Sequence, residues 1–326
     1  MSADERSDSA GGIQRPRPKV AITGAAGLIG QNLIIRLKAR GYRSIVAIDK
    51  HPANTPILAR LHPDITTISA DLAMDDGWQD ALKGVEVLVV GHAQIGGTDP
   101  KAFDDNNVVA TSRLIAAAEA AGVARAVHLS SSVVNSAAVD WYTETKKEQE
   151  RIVTASSIPS VVLRPTLMFG LFDRKHIGWL ARFMQRVPVF PVPGTGRFRR
   201  QPLYAGNFCD VIIACMEGKG TGGAFSISGL EEIDYIDLIR QVRSAVGAKT
   251  PIIPIPYSLF WALLWLYAKF DREPPFTTRQ LEALVIPELF EVIDWPGIFG
   301  VRPLSLADAI KETFGPSRYS DVVLEF

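Results

Sequence analysis

Cysteine is nearly absent from this chain of 326 residues, which contains only Cys209 and Cys215. Two cysteines cannot form the disulfide framework of a small secreted protein, and their spacing is not that of a metal site. We therefore expect two buried thiols, no bound metal and a cytoplasmic protein, because thiols persist in a reducing compartment.

An excess of charge of either sign is also absent, because 35 Lys and Arg residues balance 35 Asp and Glu residues. A neutral chain gives no reason to expect a polyanionic partner, so we expect no nucleic acid. The polar N-terminus, residues 1–18, lacks the apolar segment of a signal peptide and is predicted to be a disordered tail.

A long hydrophobic run is the third absence. The strongest apolar segment, 257–270, is shorter than the roughly 20 residues that span a bilayer. It is apolar on nearly every side, which favours a helix buried in the core or in an interface. The alternative is peripheral contact with a membrane or a lipid-linked substrate, since its aromatic residues lie beside Lys269 and Arg272.

Strand and helix signals alternate through the first half of the chain, which predicts an α/β protein with a parallel sheet covered on both faces. The predicted strands are 19–23, 44–48, 66–69, 86–90, 125–130 and 160–164, with another at 225–228. The predicted helices are 28–40, 54–61, 76–82, 104–121, 140–155, 176–186, 206–217 and 234–246. Proline becomes frequent after Pro165, which indicates a smaller second lobe interleaved with the sheet domain.

A glycine-rich turn follows the first predicted strand, at Gly24, Gly27 and Gly30. A strand, a tight glycine turn and a helix together open a dinucleotide-binding unit. The first glycine permits the turn, the second lets the backbone approach a pyrophosphate, and the third lets the helix pack on the strand. The N–H groups and the dipole at the start of the helix then hold the anion.

An acid that follows the second strand favours NAD over NADP. Asp49 lies about 20 residues beyond the turn, where a carboxylate accepts hydrogen bonds from a ribose 2′-hydroxyl and repels a 2′-phosphate. Lys50 and His51 weaken that preference, since both can carry positive charge. Asp71 follows the third strand and is a candidate for contact with the adenine edge.

The catalytic candidates are Ser132, Tyr142 and Lys146. Tyr142 and Lys146 are four residues apart and share one helix face. A phenol titrates near 10, and a neighbouring ammonium or a positively charged nicotinamide ring would favour the phenolate. Ser132 follows the 125–130 strand, at the edge of the sheet where parallel sheets bind ligands.

These motifs resemble the extended short-chain dehydrogenase/reductase superfamily, in its NAD-dependent epimerase/dehydratase branch, over about residues 18–315. The similarity rests on Thr23–Gly30, Asn107–Thr111, Ser130–Ser132, Tyr142–Lys146 with Glu150, and Arg164–Thr166 with Phe169–Gly170. It implies a Rossmann-type doubly wound parallel sheet, residues 19–165, with a smaller interleaved C-terminal substrate-binding lobe, residues 166–326, of which 203–246 partly return to the sheet.

The resemblance implies that Tyr142 transfers the proton, that Lys146 binds the nicotinamide ribose, and that Ser132 orients the substrate oxygen, with Ser131 in its place if the serines are offset by one. It implies that Arg200 grips a substrate diphosphate, and that two helices per subunit, 104–121 and 140–155, form a homodimer. The predicted NAD-binding residues are Gly24, Ala26, Gly27, Leu28, Ile29, Gly30, Asp49, Lys50, Asp71, Leu72, Ala93, Asn107, Ser130, Tyr142, Lys146, Pro165 and Thr166.

Two departures from the family pattern bear on the reaction. Val133 and Val134 follow Ser132 where the dehydratases carry Asp-Glu, so dehydration is disfavoured. The segment between Ser132 and Tyr142 also lacks the long loop of many sugar epimerases.

Three functions remain open. The leading one is epimerisation of a sugar nucleotide or a lipid-linked sugar through a transient ketone. The second is dehydrogenation of a hydrophobic, steroid-like alcohol, which the apolar 257–270 segment favours. The third is a non-catalytic assembly subunit, because Pro275–Leu281 resembles the respiratory-complex accessory members of the family, although a scaffold has no need of Ser132, Tyr142 and Lys146.

Overall fold

The computed structural model describes residues 17–74, 77–270, 276–320 and 322–325. In chain order its strands are β1 (Val20–Thr23), β2 (Ile45–Asp49), β3 (Thr66–Ser69), β4 (Val87–Val90), β5 (Arg125–Leu129), β6 (Ser160–Pro165), β7 (Met168–Phe169), β8 (Phe190–Pro193), β9 (Arg199–Arg200), β10 (Leu203–Tyr204), β11 (Ala224–Ile227), β12 (Ile233–Asp234) and β13 (Ile252–Ile255). Its helices are α1 (Leu28–Ala39), α2 (Asn54–Leu61), α3 (Pro100–Phe103), α4 (Ala110–Ala120), α5 (Trp141–Ala155), α6 (His176–Arg186), α7 (Ala205–Met216), α8 (Tyr235–Ala245), α9 (Tyr257–Tyr267), α10 (Thr278–Val285), α11 (Trp295–Phe299) and α12 (Leu306–Phe314).

A parallel sheet in the order β11-β6-β5-β4-β1-β2-β3 forms the centre of the protein. β1 and β4 are buried along their whole length, as expected of strands covered on both faces. One face packs against α1 and α7 through residues such as Leu33 and Phe208, and the other against α4 and α5 through Leu114 and Val153. The predicted doubly wound α/β fold is confirmed.

The strand order places the site. β1 lies between β2 and β4, so the chain winds outward to one side through β2 and β3, and to the other through β4, β5 and β6. In such sheets ligands bind outside the carboxyl ends of the strands, at the point where the order reverses. That point is the crevice beyond β1 and β4.

The second half of the chain both joins the sheet and builds a separate lobe. β11 pairs with β6 in parallel, and α7 packs on α1. Three two-stranded pairs, β7 with β10, β8 with β13 and β9 with β12, lie outside the large sheet. Two smaller apolar clusters involve α6 and α8, the first with α12 and the second with β8.

The predicted elements of the first half match the structure with three differences. The predicted helix at 76–82 is a 3₁₀ turn, Trp78–Leu82, and residues 75 and 76 lie outside the described residues. The predicted helix at 104–121 begins earlier, because Asp99 caps a helical turn at Pro100, and a π-helical turn, Asp104–Val109, joins α3 to α4. Arg17, assigned to the tail, bonds Glu217 at 2.8 Å, while residues 1–16 lie outside the described residues.

The apolar segment does not lie in the core. Residues Tyr257–Tyr267 form α9, and none of them is buried. The prediction that this helix is buried within the chain is therefore wrong, because its neighbours cover only one side of it. No helix in the described part of the chain has the length and apolarity needed to cross a membrane. The prediction of two buried thiols is confirmed for Cys209 and Cys215.

Candidate active site

The glycine turn is built as the spacing requires. Gly24 has φ +66°, and a Cβ there would lie 2.5 Å from the carbonyl oxygen of Gly91. A Cβ on Gly30 would lie 2.5 Å from the Cα of Ala25. Gly24 thus lets β1 turn against the neighbouring strand, and Gly30 lets α1 pack on the turn. Gly27 has only one neighbouring atom near its Cβ position, at 3.4 Å, so its absent side chain leaves open space.

The start of α1 fits an anion. Its N-cap residue is Gly27, and no side chain caps the helix. Leu28 and Ile29 form its half-buried first turn. N–H groups at an uncapped helix N-terminus, together with the helix dipole, bind phosphate groups. The turn and α1 therefore fit the pyrophosphate of a dinucleotide.

Asp49 closes the turn from the side of β2. Its Oδ2 accepts from the Ala26 N–H and its Oδ1 from the His51 N–H, both at 2.9 Å. These bonds fix the carboxylate at the end of the strand, and each oxygen keeps a further lone pair for a ribose hydroxyl.

Lys50 is engaged by neighbouring side chains. Its Nζ lies 2.9 Å from Asp71 Oδ2 and also bonds Asn106. Burial raises the pKa of Asp71, but the bonds from Lys50 and from the Ala73 N–H outweigh it and hold that pKa below its usual value. The positive charge of Lys50 is thus paired with Asp71. A paired lysine is less able to bind the 2′-phosphate of NADP, so it weakens the preference for NAD less than expected. Leu72, next to Asp71, is buried.

Asn107 holds the loop that follows β4. Its Oδ1 accepts from the Gln94 N–H at 2.6 Å, and its Nδ2 donates to the Gln94 carbonyl and to Thr145 Oγ1. The loop that carries the half-buried Ala93 is thereby tied to α5. Asn107 acts here as a clamp on the loop, although it was predicted as a cofactor contact.

The serine that the structure brings to Tyr142 is Ser131. Burial raises the pKa of the Tyr142 phenol, and the nearby Ser131 hydroxyl lowers that pKa by less. The Ser131 hydroxyl also accepts from the Val133 N–H and so caps the 3₁₀ turn, Ser132–Asn135, that Ser132 begins. This effect on the phenol favours Ser131, the offset position, and the role of either serine stays a prediction.

Lys146 is almost completely buried, at 1% exposure. Its Nζ donates to the Leu129 carbonyl at 2.8 Å and to Gln149 Oε1 at 2.7 Å. Burial lowers the pKa of Lys146 to about 7, against a smaller opposite effect of Glu150. Lys146 is not among the groups that shift the pKa of Tyr142. The expectation that it lowers the phenol pKa is therefore not met in this structure, because the ammonium faces the sheet.

A hydrogen-bonded chain extends from Lys146 to the end of β1. Gln149 Nε2 donates to Thr111 Oγ1 at 2.9 Å, Thr111 Oγ1 lies 3.1 Å from His92 Nε2, and His92 Nδ1 lies 2.8 Å from Thr23 Oγ1. Burial lowers the pKa of His92 to about 3, with a further effect of Lys146. Gln149 and His92 were not among the predicted site residues. Their positions, three residues beyond Lys146 and just after β4, could have indicated that both lie near the site.

Two buried hydroxyls at the ends of β5 and β6 have no hydrogen-bond partner within the described structure, Ser130 Oγ and Thr166 Oγ1. These strands are neighbours in the sheet, and Pro165 is the last residue of β6. Beside them the Arg164 guanidinium grips both oxygens of Glu150, at 2.8 and 2.5 Å. A ligand bound at this edge could supply the partner that these two hydroxyls lack, so the edge is compatible with a cofactor.

Arg200 contacts none of these groups in the described structure. Its guanidinium donates to the Ile286 carbonyl at 2.7 Å and to the Leu284 carbonyl, at the end of α10. It also stacks over the Phe198 ring, 5.5 Å from the centroid. The structure thus uses Arg200 to hold the end of a helix.

Comparison with known proteins identifies similar chains. The family model described as "NAD dependent epimerase/dehydratase family" matches residues 20–228. A 3-beta-hydroxysteroid dehydrogenase of Mycolicibacterium neoaurum is 25% identical, over 88% of this chain and 87% of its own. A UDP-glucose 4-epimerase of Vibrio cholerae is 23% identical, over 92% and 95%. The fold is similar to UDP-glucuronic acid 4-epimerase from Bacillus cereus, solved in complex with NAD, with a TM-score of 0.69, 20% identity and 91% and 97% coverage.

Proposed function

The chain belongs to the NAD-dependent epimerase/dehydratase family, and we propose that it is an oxidoreductase that interconverts a ketone and a secondary alcohol on a hydrophobic, lipid-like molecule. The family establishes an NAD-dependent enzyme of the short-chain dehydrogenase/reductase type. The substrate class and the residue roles are the proposal.

The observation that supports the reaction is the Ser131–Tyr142 pair beside the predicted nicotinamide edge. When bound, NAD⁺ would accept a hydride from the alcohol, and NADH would donate one to the ketone. Because burial raises the pKa of Tyr142, its phenol is protonated at neutral pH and can give a proton to the oxygen of a ketone. Ser131 would hold that oxygen by a hydrogen bond. The same groups run in reverse when an alcohol is oxidised.

Lys146 would bind the nicotinamide ribose. An ammonium has three N–H donors, and the Leu129 and Gln149 oxygens take two of them. The third donor, which only the protonated form of Lys146 carries, would bind a ribose hydroxyl. The uncapped start of α1 would hold the pyrophosphate, and Asp49 the adenine ribose.

The substrate class rests on the second half of the chain. The two relatives described above are named for a steroid and for UDP-glucose at similar identity, so that pair does not decide the substrate class. Arg200, the cation expected for a substrate diphosphate, is bonded to helix carbonyls. Arg197 and Arg199 are paired with Asp234 and Glu232. The same half exposes an apolar helix, which favours a hydrophobic substrate.

Epimerisation of a sugar nucleotide is the second candidate. It is favoured by the UDP-glucose 4-epimerase relative, which this chain matches over nearly the whole length of both proteins. A homodimer formed through the helices predicted at 104–121 and 140–155 also belongs to the main proposal.

The test is turnover of matched substrate classes by the purified protein. We expect NADH to be oxidised when a 3-ketosteroid or a long-chain ketone is added. We expect no oxidation of NADH with UDP-glucose. With NAD⁺ in place of NADH, conversion of UDP-glucose to UDP-galactose without net formation of NADH, while the ketones stay unreacted with NADH, would establish the second candidate instead.

Tyr142→Phe is the control for catalysis. It should lose turnover of every substrate while NADH binding, followed by fluorescence, stays within about twofold, since only the proton-transfer group is removed. Equal turnover by this variant and the wild type would contradict the role of Tyr142.

A further inference from the structure

The outward side of α9 is as apolar as its inward side. Eight of its eleven residues are exposed, and no charged residue occurs between Pro251 and Ala268. Leu259, Leu263 and Leu266 lie on one outward face, at 48–51% exposure. A surface helix normally carries polar residues on that face. The outward side of α9 therefore lacks the charged side chains that a helix surface facing water normally carries.

The inward side attaches α9 to the protein. Phe260 packs near Phe276, with ring centroids 6.4 Å apart, and Trp261 Nε1 donates to Glu282 Oε1 at 3.1 Å. α9 also contacts α10, which Arg200 holds at its end. The exposed apolar face is thus presented on an ordered support.

The ends of α9 carry side chains suited to a boundary between water and lipid. Tyr257 begins the helix, and Trp265 and Tyr267 end it, each 38–50% exposed. The Lys269 ammonium lies 4.7 Å from the centroid of the Trp265 ring. Trp, Tyr and Lys combine an apolar body with a polar tip and concentrate at membrane interfaces.

The size of the helix argues against a second copy as its partner. Eleven residues make a helix about 16 Å long and about 10 Å across. One face of that size is far below the roughly 800 Å² that each partner buries in a stable dimer. A lipid layer requires no such complementary area, and it covers the apolar residues on the whole outward side.

We propose that α9 docks the protein on a lipid bilayer, lying in the interfacial region with Leu259, Leu263 and Leu266 among the acyl chains. The helix is about half as long as the roughly 30 Å hydrocarbon layer is thick, so it lies on the membrane without crossing it. Membrane docking rests on the proposed function, because a lipid-like substrate would be dissolved in the bilayer that α9 contacts.

The test is flotation of the full-length protein with phosphatidylcholine vesicles, with and without phosphatidylglycerol. We expect the wild type to float with both, and to do so at high salt, because the docking face is uncharged. Leu263→Glu should reduce the bound fraction by about tenfold or more. Val323→Glu is the matched control, since Val323 is equally exposed, at 55%, but lies near the C-terminus.

Several results would overturn the proposal. They are absence of wild-type flotation, flotation only with anionic vesicles at low salt, or equal flotation of Leu263→Glu and the wild type. Concentration-dependent self-association that Leu263→Glu abolishes, without flotation, would identify a second copy as the partner. NADH binding and turnover of a water-soluble ketone, measured on the same variants, separate a failure of docking from a failure of the proposed reaction.

Discussion

Replacement of Lys146 by methionine tests the buried environment of the candidate site directly. The Lys146 side chain is 1% exposed, and its two acceptors, Leu129 O and Gln149 Oε1, are uncharged. Burial lowers its pKa from 10.5 to about 7. Methionine has a similar length and no charge, so Lys146→Met removes the titrating group from the same space.

The sign of the effect follows from proton binding. Between pH 7 and pH 10 the unfolded chain holds a proton on Lys146 and the folded chain does not, so the free energy of unfolding of the wild type rises with pH. Relative to Lys146→Met, the wild type should gain up to about 1.4 kcal/mol per pH unit, roughly 4 kcal/mol over that interval. Below pH 7 the lysine is charged in both states, and the difference between the two proteins should level off.

The measurement is urea unfolding of both proteins without cofactor at pH 6 to 10. Other titrating groups, such as the buried Asp173, contribute equally to both curves and cancel in their difference. Lys147→Met is the matched control, because Lys147 is exposed and pairs with Glu144 at 2.8 Å. A difference between the wild type and Lys146→Met that is the same at pH 7 and pH 10 would refute the low pKa of Lys146.

Three further predictions concern the same region. Ser131→Ala should lower kcat by about a hundredfold and Ser132→Ala by less than about tenfold; steady-state kinetics that reverse this order would return the role to Ser132. Gly24→Ala should destabilise the fold by about 3 kcal/mol or more and abolish NADH binding, whereas Gly41→Ala, at a similar positive φ with no atom within 4 Å, should cost only about 1–2 kcal/mol in urea unfolding. Gln149→Glu places a carboxylate against the buried ammonium and should move the pH-dependent rise in stability above pH 7; an unchanged stability profile would show that this contact does not set the lysine pKa.

The sheet could be predicted because its signals are local. Runs such as Val87–Val90 are apolar throughout, and only a strand buried on both faces suits them. The glycine positions carried the same information, since Gly24 and Gly30 have no room for a side chain. The helices α10, α11 and α12 were not predicted. Thr277 with Gln280 and Ser305 with Asp308 form their caps, and these short polar patterns could have revealed two of them.

The identity of the site serine could not be predicted with the same certainty. Three consecutive serines follow β5, and which hydroxyl faces Tyr142 depends on where the strand ends and the 3₁₀ turn begins. The turn begins at Ser132, and Ser131 caps it from the side of Tyr142. A shift of one residue in that boundary exchanges the two serines, and no local pattern in the sequence sets the boundary.

The protonation state of Lys146 is still harder to predict from the sequence. A tyrosine and a lysine four residues apart indicate that both lie on one helix face, but the side chain can follow that face in more than one direction. Here it extends to the end of β5, where the Leu129 carbonyl and Gln149 receive it. Uncharged acceptors cannot offset the burial of an ammonium, so its pKa falls to about 7. The pair therefore does not by itself lower the pKa of the Tyr142 phenol, which burial raises.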